Sequence, residues 1–310
     1  MSNITLKFYL STKVGVVLDA GFIIRFLFLL YLFPLGKGFS DDVIYKVGDV
    51  FQDCEECPEM IVIEQGVFKM GSPPSALGRP AEEGAVRPVK ILKPYAIGLY
   101  EVTQENWDKC FLDGGCDKVV HKDPKGDKYP VANVSWKQAH QYVTWISSES
   151  NLPYRLPTET EWEYAARAGS DRSRFFGFTE REVCQQGNVY DETAKVSLGY
   201  EWESLPCSDG YIDAAPVGSF KPNKFGVFDM LGNVWEWTQD CASASTRGIR
   251  TDYEAVESED CSHRSYRGSS WLSPSPRYIK FSDRYKFINS KDSDLGFRVA
   301  RDVSLGLDGI

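Results

Sequence analysis

An α+β domain with little regular secondary structure is what this sequence predicts, on three observations. Two strand-like segments precede any helix, three helix-like segments follow, two of them with start signals, and beyond Gly169 the chain turns irregular, dense in Gly, Asp, Asn and aromatic residues. A long stretch of that kind needs staples or ions to hold it.

The first forty residues stand apart. Lys7, Lys13 and Arg25 precede the apolar run Phe26 to Leu35, which Gly36 to Ser40 follows. The run has the length of a signal-peptide core and is too short for a spanning helix. Residues 1–40 therefore read as a secretory signal. An uncleaved anchor is the alternative, because Asp19 and Arg25 interrupt the wider apolar zone and no small-x-small cleavage site is visible. On that alternative, membrane attachment is through this segment only.

Residues 41–58 read as a polar connector, residues 59–302 as one domain without an internal linker, and 303–310 as a tail. Met60 to Gly71 alternates enough for an opening strand ending at a glycine turn, and Pro73 to Pro88 is a loop. Val89 to Tyr100 is a second strand, with Pro94 marking a break or an edge.

Helical spacing then covers Thr103 to Phe111 and Ser135 to Ser148. In the latter, Trp136, Ala139, Tyr142, Val143 and Ile146 share one face, and Ser135 stands as N-cap. Thr158-Glu-Thr-Glu161 is a capping box that opens a third helix, which Gly169 stops. Beyond it only Ala215 to Ser219 and Phe297 to Ala300 look strand-like.

Composition excludes some functions. The 310 residues carry a net charge of -9 and 42% hydrophobic residues, enough for a sizeable core. No dense block of Lys and Arg offers phosphates a footprint, so no nucleic-acid partner is expected. No Gly-x-Ser-x-Gly elbow and no phosphate-cradling glycine loop is present.

Eight cysteines fall into sequence-local couples: Cys54 with Cys57, Cys110 with Cys116, Cys184 with Cys207, and Cys241 with Cys261. Export to an oxidising space would make them four disulfides, although eight cysteines allow about 105 pairings. The competing reading of Cys54-Glu-Glu-Cys57 as half a zinc site lacks a second pair or a nearby histidine.

Three runs carry a resemblance: Pro153 to Arg167, Gly226-Val-Phe-Asp-Met-Leu-Gly-Asn-Val-Trp-Glu-Trp237, and Arg267-Gly-Ser-Ser-Trp271 through Leu295-Gly-Phe-Arg298. Together they resemble the formylglycine-generating enzyme, or sulfatase-modifying factor, family. The resemblance implies a formylglycine-generating-enzyme-like, C-type-lectin-related fold and two calcium sites. One would use Asp229 and Glu236 side chains with the carbonyls of Gly232 and Val234. The other would use Asn188 and Asp209 side chains with the carbonyls of Val189 and Tyr211. Read from the residues alone, these are turn sequences with solvated carboxylates. Calcium accepts such hard oxygen sets from irregular loops.

The oxidases of this family bind copper(I) through two cysteines after the Arg-Gly-Gly-Ser-aromatic stretch. Here Ser273 takes the first position, the second falls near Ser275 to Tyr278, and no cysteine follows Cys261. A hydroxyl does not replace a thiolate for copper(I), so copper and formylglycine generation are not expected. His121, His140 and His263 are too scattered for the iron site of the related oxygenases. A branch resembling pyoverdine-maturation oxidases lacks the cysteine pair yet is associated with oxidation, which keeps a cysteine-independent oxidoreductase as the alternative.

Trp271, Ser273, Tyr278, Tyr285, Asn289 and Asp292 form a polar and aromatic set where lectin-like relatives place ligands, some with segments diversified by retroelements. The expected function is an exported, calcium-stabilised binding or structural module with an unidentified protein or small-molecule ligand, in the periplasm or outside the cell.

Overall fold

The computed structural model describes residues 44–73, 86–120, 126–171, 180–242, 254–259, 261–273 and 284–306. Residues 1–40, read above as signal or anchor, lie outside them, as do Tyr278 and His121. Among the described residues no helix is long and apolar enough to cross a membrane.

Ten strands and five helices are described, in three sheets. The first sheet is antiparallel, in the order β1 (Val50–Phe51), β2 (Met60–Ile63), β5 (Tyr95–Gly98), β10 (Ala300–Asp302). β3 (Gly66–Met70) and β4 (Arg87–Ile91) form a separate hairpin-like pair. The third sheet runs β8 (Arg284–Phe287), β7 (His263–Arg267), β6 (Trp235–Cys241), β9 (Leu295–Phe297), with β6 and β9 parallel.

Several expectations needed correction. Met60 to Gly71 is two strands in two sheets, because Glu64 and Gln65 turn the chain away between the buried β2 and the half-exposed β3. Val89 to Tyr100 does break at Pro94, as expected, where proline cannot donate to a ladder. Ala215 to Ser219 pairs with no strand, its backbone serving side chains instead: Ala215 N–H donates to Asn233 Oδ1 and Gly218 N–H to Asp229 Oδ2. Phe297 to Ala300 spans the end of β9 and the start of β10, the two lying in different sheets.

The stretch before residue 59 does not behave as a free connector. β1 pairs with β2, and Asp53 holds Arg301 through two hydrogen bonds of 2.7 Å while Tyr154 donates to the same carboxylate. Tyr45 accepts from Arg301 and bridges to Leu305.

The helices form where their start signals stand. α1 (Gln104–Leu112), α2 (Trp136–Ser150) and α3 (Glu159–Arg167) each open on a reciprocal capping box, from Thr103, Ser135 and Thr158. α2 ends on Asn151 in the left-handed region; α3 ends on Ala168, also left-handed, just before Gly169. Two short helices, α4 (Glu180–Val183) and α5 (Glu192–Leu198), fall in the stretch expected to be irregular.

Two apolar clusters result. One packs α1 and α2 against the third sheet through Trp107, Tyr142, Trp237 and Phe297, all fully buried. The other packs α3 against the first sheet and the β3–β4 pair through Trp162, Tyr95, Ile97 and Val89. Every residue of α3 is buried, so its charges need partners. Glu163 supplies them: it accepts from Gly71 N–H and Arg267 Nη1, and pairs with Arg167 at 2.6 Å.

All eight cysteines are bonded in the four sequential couples, which answers the zinc reading of Cys54 and Cys57. Cys184 and Cys207, 23 residues apart, close the longest loop. Replacing both with Ser is expected to cost about 3 kcal/mol in urea unfolding, whereas the same change at Cys54 and Cys57 costs least of the four.

Candidate functional site

The irregular region converges on Gly226 to Trp237. Asp229 and Asn233 adopt positive φ (55° and 57°), and Gly232 sits at 75°, so three left-handed turns coil the backbone tightly. The coil packs against the Asn188 loop. Asn233 N–H donates to Asn188 O at 2.8 Å, and Asn188 Nδ2 donates to Asn233 Oδ1. A methyl group on Gly232 would lie 1.8 Å from Asn188 O. Gly232→Ala is therefore expected to lose at least about 2 kcal/mol of unfolding free energy, measured by denaturant titration.

The two predicted calcium loops are thus back to back. In the first, Glu236 does not stand open: Arg298 Nε and Nη2 donate to its two oxygens at 2.7 and 2.8 Å, and Trp162 Nε1 donates at 2.7 Å. Asp229 accepts from Gly218 N–H. Glu101, which sequence reading did not single out, joins them by accepting from Asn233 Nδ2 and Val234 N–H. Burial first, and then the charges of Asp229 and Glu236, push the Glu101 carboxyl well above the usual range. Asp229 is pushed up to about 6, by burial first, with Gly218 N–H and Arg298 opposing. Three buried carboxylates thus face one guanidinium, and a divalent cation is the group that would offset the surplus.

In the second loop, Asp209 accepts from Val189 N–H and Tyr211 N–H, both at 2.8 Å, and burial pushes its carboxyl up to about 7. Asn188 Oδ1 is buried without any partner. An orphaned carbonyl-type oxygen beside a desolvated carboxylate fits a hard cation. No trio of His, Cys, Asp or Glu side chains forms a metal cage among the described residues; both predicted sets instead depend on backbone carbonyls.

At the C-terminal segment, Ser269, also left-handed, follows Gly268 under the Trp162 ring. Ser270 N–H donates to Ser273 Oγ at 2.9 Å, and Ser270 Oγ donates to Asp294 Oδ2 at 2.6 Å. Both serines are buried, so their hydroxyls close a turn around the Asp294 carboxylate.

Residues 46–303 match the sulfatase-modifying factor enzyme 1-like domain. The chain belongs to this sulfatase-modifying factor family. It is 35% identical over 185 residues to the formylglycine-generating enzyme of Thermomonospora curvata, covering 56% of either chain. It is 28% identical over 294 residues to the inactive C-alpha-formylglycine-generating enzyme 2 of Bos taurus, covering 78% of this chain and 87% of that one. The chain spans about half the length of the formylglycine-generating enzymes it matches, 56% for the T. curvata enzyme and 48% for the mouse one. Among solved structures, PvdO from Pseudomonas aeruginosa aligns with a TM-score of 0.73 at 33% identity, over 84% of this chain and all of that one. The Treponema denticola variable protein 1 shares the fold, with a TM-score of 0.61 at 24% identity. The α+β formylglycine-generating-enzyme-like fold is as expected.

Every cysteine is bonded in a disulfide and Ser273 faces Ser270, so no thiolate is available to grip copper(I), and the donors present do not fit that ion.

Of the six residues expected to meet a ligand, the described ones differ in exposure. Trp271 and Ser273 are buried, Trp271 donating its backbone N–H to Asn233 O. Asn289 is exposed, and Asp292 is half-buried with its carbonyl accepting from Asn133 and Leu295. Tyr285 pairs with Ser265 across β7 and β8, and Tyr278 lies outside the described residues.

Proposed function

We propose that this chain is an exported, calcium-stabilised binding or structural module of the sulfatase-modifying factor family that does not generate formylglycine. The single observation that carries the reading is the bonding of all eight cysteines in disulfides, with Ser273 at the family's first copper position. The similarity to a relative named as inactive, over most of both chains, supports it. Four disulfides fit an oxidising compartment.

Calcium would be held by Asn188 Oδ1, Asp209 and the carbonyls of Val189 and Tyr211, and by Asp229 with the carbonyls of Gly232 and Val234. Glu101 and Glu236 supply charge beside that second set. The ion would neutralise buried carboxylates and fix two irregular loops; Arg298 and Trp162 hold Glu236 in place from the other side.

The test is incubation of the copper-treated protein with a sulfatase-type cysteine peptide in air, read by mass spectrometry. Unchanged peptide is expected, and conversion to the aldehyde would overturn the reading. A second reading, an oxidoreductase acting without cysteines on a protein or secondary-metabolite substrate, is favoured by the alignment with the whole of PvdO. Stoichiometric copper or iron with oxygen uptake would select it, whereas calcium alone selects the module.

A further inference from the structure

A groove of about 320 Å³ runs along the outer face of α2, between Lys137, His140, Gln141, Thr144 and Trp145 and the loop at Gly115. Its volume is at the lower end of the range for small-molecule sites. It lies apart from the calcium loops and from the serine cluster, and nothing in their function requires it.

One wall of the groove is set by a disulfide that also belongs to the apolar core. The Cys110–Cys116 disulfide draws the chain after α1 back onto α2, and Gly115 lands on the Trp145 side chain so closely that an added Cβ would sit 2.5 Å from Cδ1. Trp145 is 7% exposed, and its Nε1, bonded to that Cδ1, is buried with no hydrogen-bond partner. One turn earlier, Gln141 Oε1 is also buried and also unpartnered. A sealed donor and a sealed acceptor on one helix face, both on groove-lining side chains, each cost about 1–3 kcal/mol until something satisfies them.

Charge indicates what does. The chain carries a net charge of -9, yet no carboxylate lines the groove. Lys137 is exposed and makes no ion pair with a described residue, and His140 lies tilted against the Trp136 ring beside it. The Thr144 and Ser148 hydroxyls line the same wall, Thr144 donating to the His140 carbonyl. A cation, an N–H donor and hydroxyls favour an anion; a single open acceptor asks for a ligand hydroxyl.

We propose that this groove binds a small hydroxycarboxylate. Lys137 faces the carboxylate, Trp145 Nε1 donates to one of its oxygens, and Gln141 Oε1 accepts from a ligand hydroxyl. Because both polar atoms are shielded from bulk water, side chains on the rim turn aside as the ligand enters.

The probe is glucuronate, titrated into the intact, calcium-replete, disulfide-bonded protein labelled with ¹⁵N. Of the indole N–H resonances from the 8 tryptophans, the one lost in Trp145→Phe is followed. Glucuronate is expected to shift that resonance saturably, and neutral glucose is expected to leave it in place. Lys137→Ala and Gln141→Ala are each expected to weaken binding by about tenfold, with the melting temperature unchanged in the first, at an exposed residue, and not lowered in the second, which removes the unsatisfied oxygen. An unmoved Trp145 resonance at millimolar glucuronate overturns the proposal, as does an equal response to glucose. If Trp145→Phe fails to fold, the Lys137 and Gln141 variants still decide by calorimetry: unaltered affinity in both rejects the site.

Discussion

Excess chelator lowers the melting temperature of the disulfide-bonded domain by about 10–20 °C from its value in calcium at about a hundred times each Kd. Each site then contributes about 2.7 kcal/mol by mass action, and about 1 kcal/mol moves the transition of a domain this size by about 2–4 °C. The expectation rests on Asn188 Oδ1, buried with no partner, and on carboxyls that the fold desolvates. The effect has a pH signature. Asp229 and Asp209 keep their protons in the folded chain up to about 6 and 7, while an unfolded aspartate loses its proton near 4. Between those values the folded state binds more protons than the unfolded state, so calcium-free stability falls as pH rises from about 4 to 8. Calcium reverses this by taking the place of the protons, and its affinity climbs over the same window. A transition that neither chelator nor pH moves, followed by circular dichroism, rejects both loops as calcium sites.

Removing Arg298 has the second large effect. Its side chain is fully buried, and besides holding both oxygens of Glu236 it donates to the carbonyls of Gly98 and Phe228. Among the described residues, Arg298→Met strips the one guanidinium that faces the Glu101, Asp229 and Glu236 group. A loss of about 3–5 kcal/mol follows, because a buried carboxylate is left without its partner. The double variant Glu236→Met with Arg298→Met is less damaging than Arg298→Met alone, since the orphaned charge goes with the pair. Additive losses in urea unfolding would show that the two side chains act separately and that the pairing is incidental.

The parts of this domain that could be read in advance are those written locally. Thr103, Ser135 and Thr158 announce their helices within four residues, and the cysteine couples are separated by 3 to 23 positions. What stayed hidden depends on long separations. Glu101 reaches Asn233 across 132 residues, and no spacing rule connects a carboxylate before an N-cap to a glycine turn late in the chain. The same holds for Glu163 and Arg267, joined across 104 positions. Trp271 and Ser273 were expected on a recognition face because their residue types suit one. The turn that Ser270 closes against Asp294 draws both inward instead, and residue type carries no record of that. The strand at Met60 divides for a different reason: two successive polar residues, Glu64 and Gln65, interrupt the pattern, and the pairing partners change there.

The clasp of Arg301 on Asp53 and Tyr45 fixes the first described segment of the domain to its last strand, and Tyr45 bridges Leu305 directly. Entry and exit of the folded body therefore share a doorway. A unit threaded this way can be spliced into a surface loop of a host protein, or carried on one stalk.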